Sequence, residues 1–196
     1  MRAAKVLDGF PLALELAGIL IHEGIVPLGD FAQVFTSRYQ RLAKHRVDPG
    51  MWLWDKSDRL FNVFDDLYKS LLNRSSDASL LLTLCAVFGP WSIPVSLLRG
   101  LQFFGIANNA SKDNSWGQLQ ILLDDDVELK VAIEELCKIF SAKKRQDCLM
   151  DVQSISLHPS ICQWRFETLG EQRADWVMQA SFGLATHIKY SSAKQQ

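Results

Sequence analysis

The chain reads as mainly α: a helical front part, then a second helical part that carries one small hairpin and a closing helix. Three observations predict this. Apolar residues recur at helical spacing, as in Leu60, Phe61, Phe64, Leu67, Leu71 and Leu72. Helix breakers and starters stand at the edges of such stretches, at Pro11, Asp48-Pro49-Gly50, Gly89-Pro90 and Pro159. Late in the chain, Ser154-Ile155-Ser156-Leu157-His158 alternates with period two, the pattern of a half-buried strand.

Residues 1–22 read as helix broken at Gly9-Phe10-Pro11. Gly9 frees the backbone for a tight turn. Pro11 takes the first helical turn, where its missing N–H costs nothing. Leu12, Leu14, Leu16 and Ile19 to Ile21 supply apolar surface, so the corner is rigid and can hold a flat apolar group. Gly24 to Gly29 is a loop. Asp30 then caps a second helix to about His45, with Phe31, Val34, Phe35, Tyr39 and Leu42 on one face. Trp52 and Trp54 lie in an extended link, and Ser57 caps a helix to about Leu72.

Ala78 to Phe88 is apolar on all sides and belongs inside a domain, and Gly89-Pro90 stops it. Pro94 opens a helix from Val95 to Phe104, and residues 105–117 read as a surface loop. Val127 to Phe140 is amphipathic, with Val127, Val131, Ile133, Leu136, Ile139 and Phe140 as core residues; Lys143-Lys144-Arg145 at its end can touch phosphate, and a solvated helix end is the simpler account. Asp147 to Val152 and Ser154 to His158 form a hairpin, Pro159 starts a short helix, and a last helix follows Gly170 to about Ile188. Three helices and then a hairpin is the order of a winged-helix domain. The division expected is a helical front at 1–50, a connecting helix at 51–76, a winged-helix domain at 77–166 and a closing helix at 167–196.

Composition narrows the function. At 196 residues the chain can bury a core. A net charge of −1 implies no broad basic face for nucleic acid. No apolar run reaches membrane-spanning length, since Leu12 to Ile21 contains Glu15 and Gly18, and Gly9-Phe10-Pro11 interrupts any leader. The cytoplasm is the location expected. Cys85, Cys137, Cys148 and Cys162 lack paired spacing, so reduced thiols and no metal are expected. No Gly-x-Ser-x-Gly or His-Glu-x-x-His occurs, and the chain reads as a non-enzyme.

Two segments imitate nucleotide-site motifs. Gly24 and Gly29 have P-loop spacing, but Asp30-Phe31 follows where Lys and Ser or Thr are needed, and an acid there repels phosphate. Leu119 to Asp126 resembles a hydrophobic strand ending in acids. Those acids suit the first turn of the Val127 helix better, where they oppose the dipole. His158 stands where a strand ends and a helix begins. Its ring can project beside unpaired N–H groups toward an anion, or it can cap its own helix.

Leu7-Asp8-Gly9-Phe10-Pro11-Leu12-Ala13 resembles the Gly-Leu-Pro-Leu-Ala motif of NB-ARC proteins, the STAND class of nucleotide switches. Ile155-Ser156-Leu157-His158-Pro159, with Trp164 following, resembles the histidine motif that closes their winged helix, in the form found in members with tetratricopeptide repeats. Ala78 to Leu84, then Phe88 and Ile93-Pro94, resembles the first winged-helix segment. The three blocks fall in the family's order across nearly the whole chain. Phe10 departs from the usual Leu, and Ser160-Ile161-Cys162 from the usual polar continuation.

The resemblance implies a regulatory fragment of an NLR-like signalling switch, as in innate immunity: a helical lid and a winged helix without the ATPase core. It implies that Gly9, Phe10, Pro11 and Leu12 meet the adenine of ADP or ATP, and that His158 meets the β-phosphate. Nucleotide is a ligand of the intact family, and this chain by itself is expected to need no cofactor. The partners implied are a full-length relative, or an NTPase core and repeats toward which Glu171 to Tyr190 would lead. Met1, just ahead of the motif, is what a truncated gene would place there. The alternatives are a winged-helix nucleic-acid binder, which Glu128, Glu134 and Glu135 on the reading helix disfavour, or a relic with no function of its own.

Overall fold

A computed structural model describes residues 11–34, 55–101, 115–147 and 152–193, and the chain divides into two units, Met1–Ser70 and Leu71–Gln196. Gly9, Phe10, Trp52, Trp54, Cys148 and the stretch 102–114 lie outside the described residues.

In the first unit, α1 (Pro11–His22) opens on Pro11 as expected. It ends in a Schellman motif. Gly24, at φ 69°, donates to the Ile21 carbonyl (3.1 Å), and Ile25 donates to the Leu20 carbonyl (2.9 Å). Gly24 therefore terminates a helix and is no phosphate loop. Helix α2 covers residues 28–34. The Pro27 carbonyl accepts from the N–H groups of Asp30 and Phe31, both at 3.0 Å. Asp30 thus lies inside the first turn and does not cap it, because proline already supplies the extended residue that ends the Schellman turn. Helix α3 is Asp55–Arg74. Ser57 lies within it rather than at its cap. Leu16, Leu20, Phe31, Val63, Phe64 and Leu67 are fully buried.

The second unit is built around α4 (Ser76–Phe88), whose residues from Ala78 to Ala86 are nearly all buried. Ser75 caps it, its hydroxyl accepting from the Ala78 N–H at 3.1 Å. Gly89, at φ 83°, ends it by donating to the Cys85 and Ala86 carbonyls. Next come β1 (Ile93–Pro94) and α5 (Val95–Gly100), then α6 (Ser115–Asp124) and α7 (Asp126–Phe140). The strands β2 (Lys143–Asp147) and β3 (Val152–Ser156) follow, then α8 (Pro159–Thr168), a 3₁₀ turn at Gly170–Gln172, and α9 (Arg173–Ala193). Helix α4 packs against α6, α7, α8 and α9.

The three strands form an antiparallel sheet in the order β1-β3-β2. The hairpin is present, but its first strand is Lys143–Asp147 and not Asp147 to Val152. Lys143-Lys144-Arg145 is therefore strand and not a helix end. Ser141, in the left-handed region at φ 49°, stops α7 two residues earlier. Ile93-Pro94 adds a third strand that two residues could not announce by periodicity.

Leu119 to Asp124 is helical, so the likeness to a nucleotide-site strand fails; the preferred reading of the acids holds for Asp125, which caps α7, and Asp126, in its first turn, while Asp124 ends α6. Leu119, Leu122 and Leu123 are buried at helical spacing, and Ile121 between them is 74% exposed. Ser115–Asp124 also replaces the end of the expected loop with helix. Asp125 caps α7, its carboxylate accepting from the N–H groups of Val127 (2.8 Å) and Glu128 (3.1 Å). The buried stripe of α7 is Leu129, Ala132, Ile133, Leu136, Ile139 and Phe140. Val127 and Val131 are exposed, contrary to expectation, because the stripe is set by Leu129 and Ala132.

Two close approaches hold α9 against α5. A Cβ on Gly100 would collide with the His187 ring, and one on Gly183 would stand 2.7 Å from Leu101 Cδ2. The Trp116 and Trp176 rings meet edge to face at 5.6 Å, joining α6 to α9. The Arg173 guanidinium lies 4.8 Å over the Phe166 ring and donates to the Phe166 carbonyl at 3.1 Å, closing the end of α8. No described helix is long and apolar enough to cross a membrane.

Candidate functional site

The sequence singles out two helix starts, one in each unit. At the first, Pro11 is exposed at the head of α1 and Leu12 is half-buried. Leu14, expected to add apolar cover, is itself exposed, while Leu16 and Leu20 carry the burial. Gly9 and Phe10 lie outside the described residues, so the turn of the corner is known only from Pro11 onward.

At the second, β3 delivers the chain through Ile155 and Leu157, both buried, to His158, which is exposed. Pro159 then opens α8. Below it Ile161, Cys162 and Trp164 are buried, and Trp164 stacks on Phe140 with ring centroids 6.0 Å apart. Further along α8, Arg165 Nε donates to Thr83 Oγ1 at 2.9 Å, and that hydroxyl donates to the Ser79 carbonyl. His158 is thus fixed from both sides by packed structure, with its ring on the surface.

The ring caps its own helix. His158 Nδ1 accepts from the Ser160 N–H at 3.2 Å, and the His158 carbonyl accepts from Ile161 (2.9 Å) and Cys162 (3.2 Å). Pro159 has no N–H to offer. The first turn therefore has no unpaired backbone donor, and the expected ring of N–H groups around an anion is absent here. The cap has a second effect. A ring that accepts at Nδ1 carries its proton on Nε2, so one N–H donor is held outward. No hydrogen-bond partner faces Nε2 among the described residues.

Around this junction the strand register places other polar groups. Lys143 stands opposite Ser156, and Arg145 opposite Ser154. Ser92 Oγ donates to Ser154 Oγ at 2.7 Å. Lys144, on the opposite face beside buried Ile155, reaches Glu134 of α7 at 3.8 Å. The sequence offered Lys143-Lys144-Arg145 as a helix end and Ser156 as part of the histidine motif, but did not bring Lys143 and Ser156 together. The available signal was the Lys-x-Arg spacing at 143 and 145 facing Ser-x-Ser at 154 and 156, legible only once the strand register is known.

The three described thiols are held in the protonated form. Burial pushes the Cys162 thiol up to about 11 and the Cys85 thiol higher still, and it raises Cys137 as well. Cys162 and His158 do not share a face, since one is buried and the other exposed. No group of three metal-binding side chains occurs among the described residues.

Neither family models, curated proteins nor solved structures match this chain. The fold that can be stated plainly is a mainly helical one with a small three-stranded antiparallel sheet.

Proposed function

We propose that the chain is the lid and winged-helix segment of a STAND-type (NB-ARC) nucleotide switch, acting as a regulatory module and not as an enzyme. The observation that carries this reading is the second unit's order, helix-strand-helices-hairpin with the sheet in the order β1-β3-β2, together with His158 at the junction of β3 and α8. In this reading the second unit is a winged helix, and the outward Nε2–H of His158 serves the β-phosphate of an ADP held by a P-loop core. For the first unit, the reading assigns Pro11 to the adenine face.

The exposed side of α7, the helix a winged-helix DNA binder would insert, carries Val127, Glu128, Lys130, Val131 and Lys138, with Asp125 and Asp126 at its start. Its two cations are outnumbered by acids, and Lys138 pairs with Glu135 at 2.7 Å, so a protein-facing role fits better.

The test is association with the recombinant P-loop core of a tetratricopeptide-bearing STAND protein, measured with and without ADP. Association that requires ADP and weakens in His158→Ser is the expected result. ATP turnover by this chain alone, micromolar ADP affinity of this chain alone, or salt-dependent binding to duplex DNA would overturn the reading.

A further inference from the structure

We infer that the outer face of α9 is the seam of an antiparallel homodimer, in which a second copy of this chain lays the same helix against it. This seam involves neither His158 nor a nucleotide.

Helix α9 is poor in charge on two opposite sides. Packing settles its inner side: Trp176 and Ala180 are buried, Gly183 lies against Leu101, and His187 lies against Gly100. Ala174, Met178, Ser181, Ala185 and Ile188 follow one another at alternating steps of four and three residues, so they share a face. They are offset by two residues from the inner set, which places them on the far side of the helix. All five are exposed. Met178 is 55% exposed, and Ile188 and the neighbouring Phe182 are each 57% exposed. From Ala174 to Lys189 the sequence offers one acid, Asp175, and, besides His187, one base, Lys189. The alternating step is the heptad spacing of a helix–helix seam, and a helix that is apolar on both sides belongs in an interface.

Charge and side-chain size select a second copy running antiparallel. Asp175, Phe182 and Lys189 are spaced seven residues apart and line one flank of the seam. In an antiparallel pair, like flanks meet. With a two-fold axis beside Ser181 and Phe182, Asp175 comes level with Lys189 of the second copy, and Lys189 with its Asp175. Within one chain the two lie about 21 Å apart along the helix and cannot pair, and a parallel dimer would keep them that far apart. Neither belongs to an ion pair among the described residues. The same axis sets Met178 level with Ala185 and Ala174 level with Ile188, to within one helical rise of about 1.5 Å. Each large side chain therefore meets a small one, and Ser181 at the axis lets the backbones approach. Such a contact is self-complementary and closes at two copies. A seam about 21 Å long lies at the low end of interface size, below about 1,200 Å² in total, so the dimer is weak and concentration-dependent.

The experiment is analytical ultracentrifugation of the full chain over a concentration series. The expected result is a reversible monomer–dimer equilibrium with a Kd of roughly 100 μM. Ala185→Glu, at an exposed position, places a charge in the seam and should leave only monomer with an unchanged circular dichroism spectrum. Asp175→Lys and Lys189→Asp should each weaken self-association about tenfold, because each sets like charges against one another at both ends of the seam. Mixing those two variants should restore association, since a mixed pair regains both ion pairs. A chain that stays monomeric at millimolar concentration, or association unchanged in Ala185→Glu, would overturn the inference. So would a mixture that associates no better than either variant alone. Loss of P-loop-core association in Ala185→Glu, with the chain monomeric throughout, would give this face to another partner and overturn it too.

Discussion

Two helix starts, Pro11 and His158, looked equivalent as motifs, yet their surroundings differ. Pro11 heads α1 with its ring exposed, and the helix gains its burial a turn later at Leu16 and Leu20. His158 is exposed too, but buried Leu157 precedes it, Ile161 and Trp164 lie below it, and its Nδ1 is tied to Ser160. A proline at the first helical position is placed by its own ring geometry. A histidine is placed by what it bonds to and by the core beneath it. The difference teaches that only the second start holds a polar atom at a position set by tertiary packing.

The comparison breaks most visibly if the packing below His158 is removed. Trp164→Ala deletes a ring that is 1% exposed and stacked on Phe140, and should cost the second unit about 3–5 kcal/mol. Denaturant unfolding measures this, and a loss below 1 kcal/mol would mean that α8 is not anchored as described.

A smaller effect is expected where α5 and α9 touch. Gly100→Ala drives a methyl group into the His187 ring and should destabilise by about 1–3 kcal/mol. Combining it with His187→Ala should recover part of that loss. Equal melting of the single and double variants would show that the two helices do not cross at that point.

The cap itself is worth less. His158→Ala should cost about 1 kcal/mol, and His158→Ser should restore most of it, since serine also accepts at a helix N-cap. Identical stabilities for the two variants would show that Nδ1 contributes nothing.

Smallest of all, Pro11→Ala should change stability by about 0.5 kcal/mol or less, because the ring is exposed and alanine suits the same position. A change larger than that of His158→Ala would invert the comparison and show that the first corner is the more strongly held.

Much of the helix content was legible because it depends on local chemistry. Pro11, Gly89 and Pro159 mark real boundaries, and the apolar run Ala78 to Ala86 is the buried centre of its unit. The misses share one cause. Val127 and Val131 fit an apolar stripe as well as Leu129 and Ala132 do, and only neighbouring helices decide which stripe turns inward. The loop expected over residues 105–117 gives way to helix from Ser115, because Leu119, Leu122 and Leu123 bury one face of a helix that its polar start does not announce. Lys143 to Arg145 looked like a solvated helix end because nothing local reveals a partner strand. At the candidate site, His158 was legible from its strand–proline context, and so was its capping of its own helix; its register beside Lys143 was not.

The sequence by itself determined the helix ends at Pro11, Gly89 and Pro159, because proline and glycine act on their own backbone within a few residues. It also determined that His158 would sit at a strand-to-helix junction, since alternation ends there and Pro159 follows. Only the tertiary structure decided that β3 lies between β1 and β2, which nitrogen of His158 faces outward, and which cation stands beside Ser156. Those outcomes depend on pairing between residues far apart in the chain, and strand register and core packing set them together.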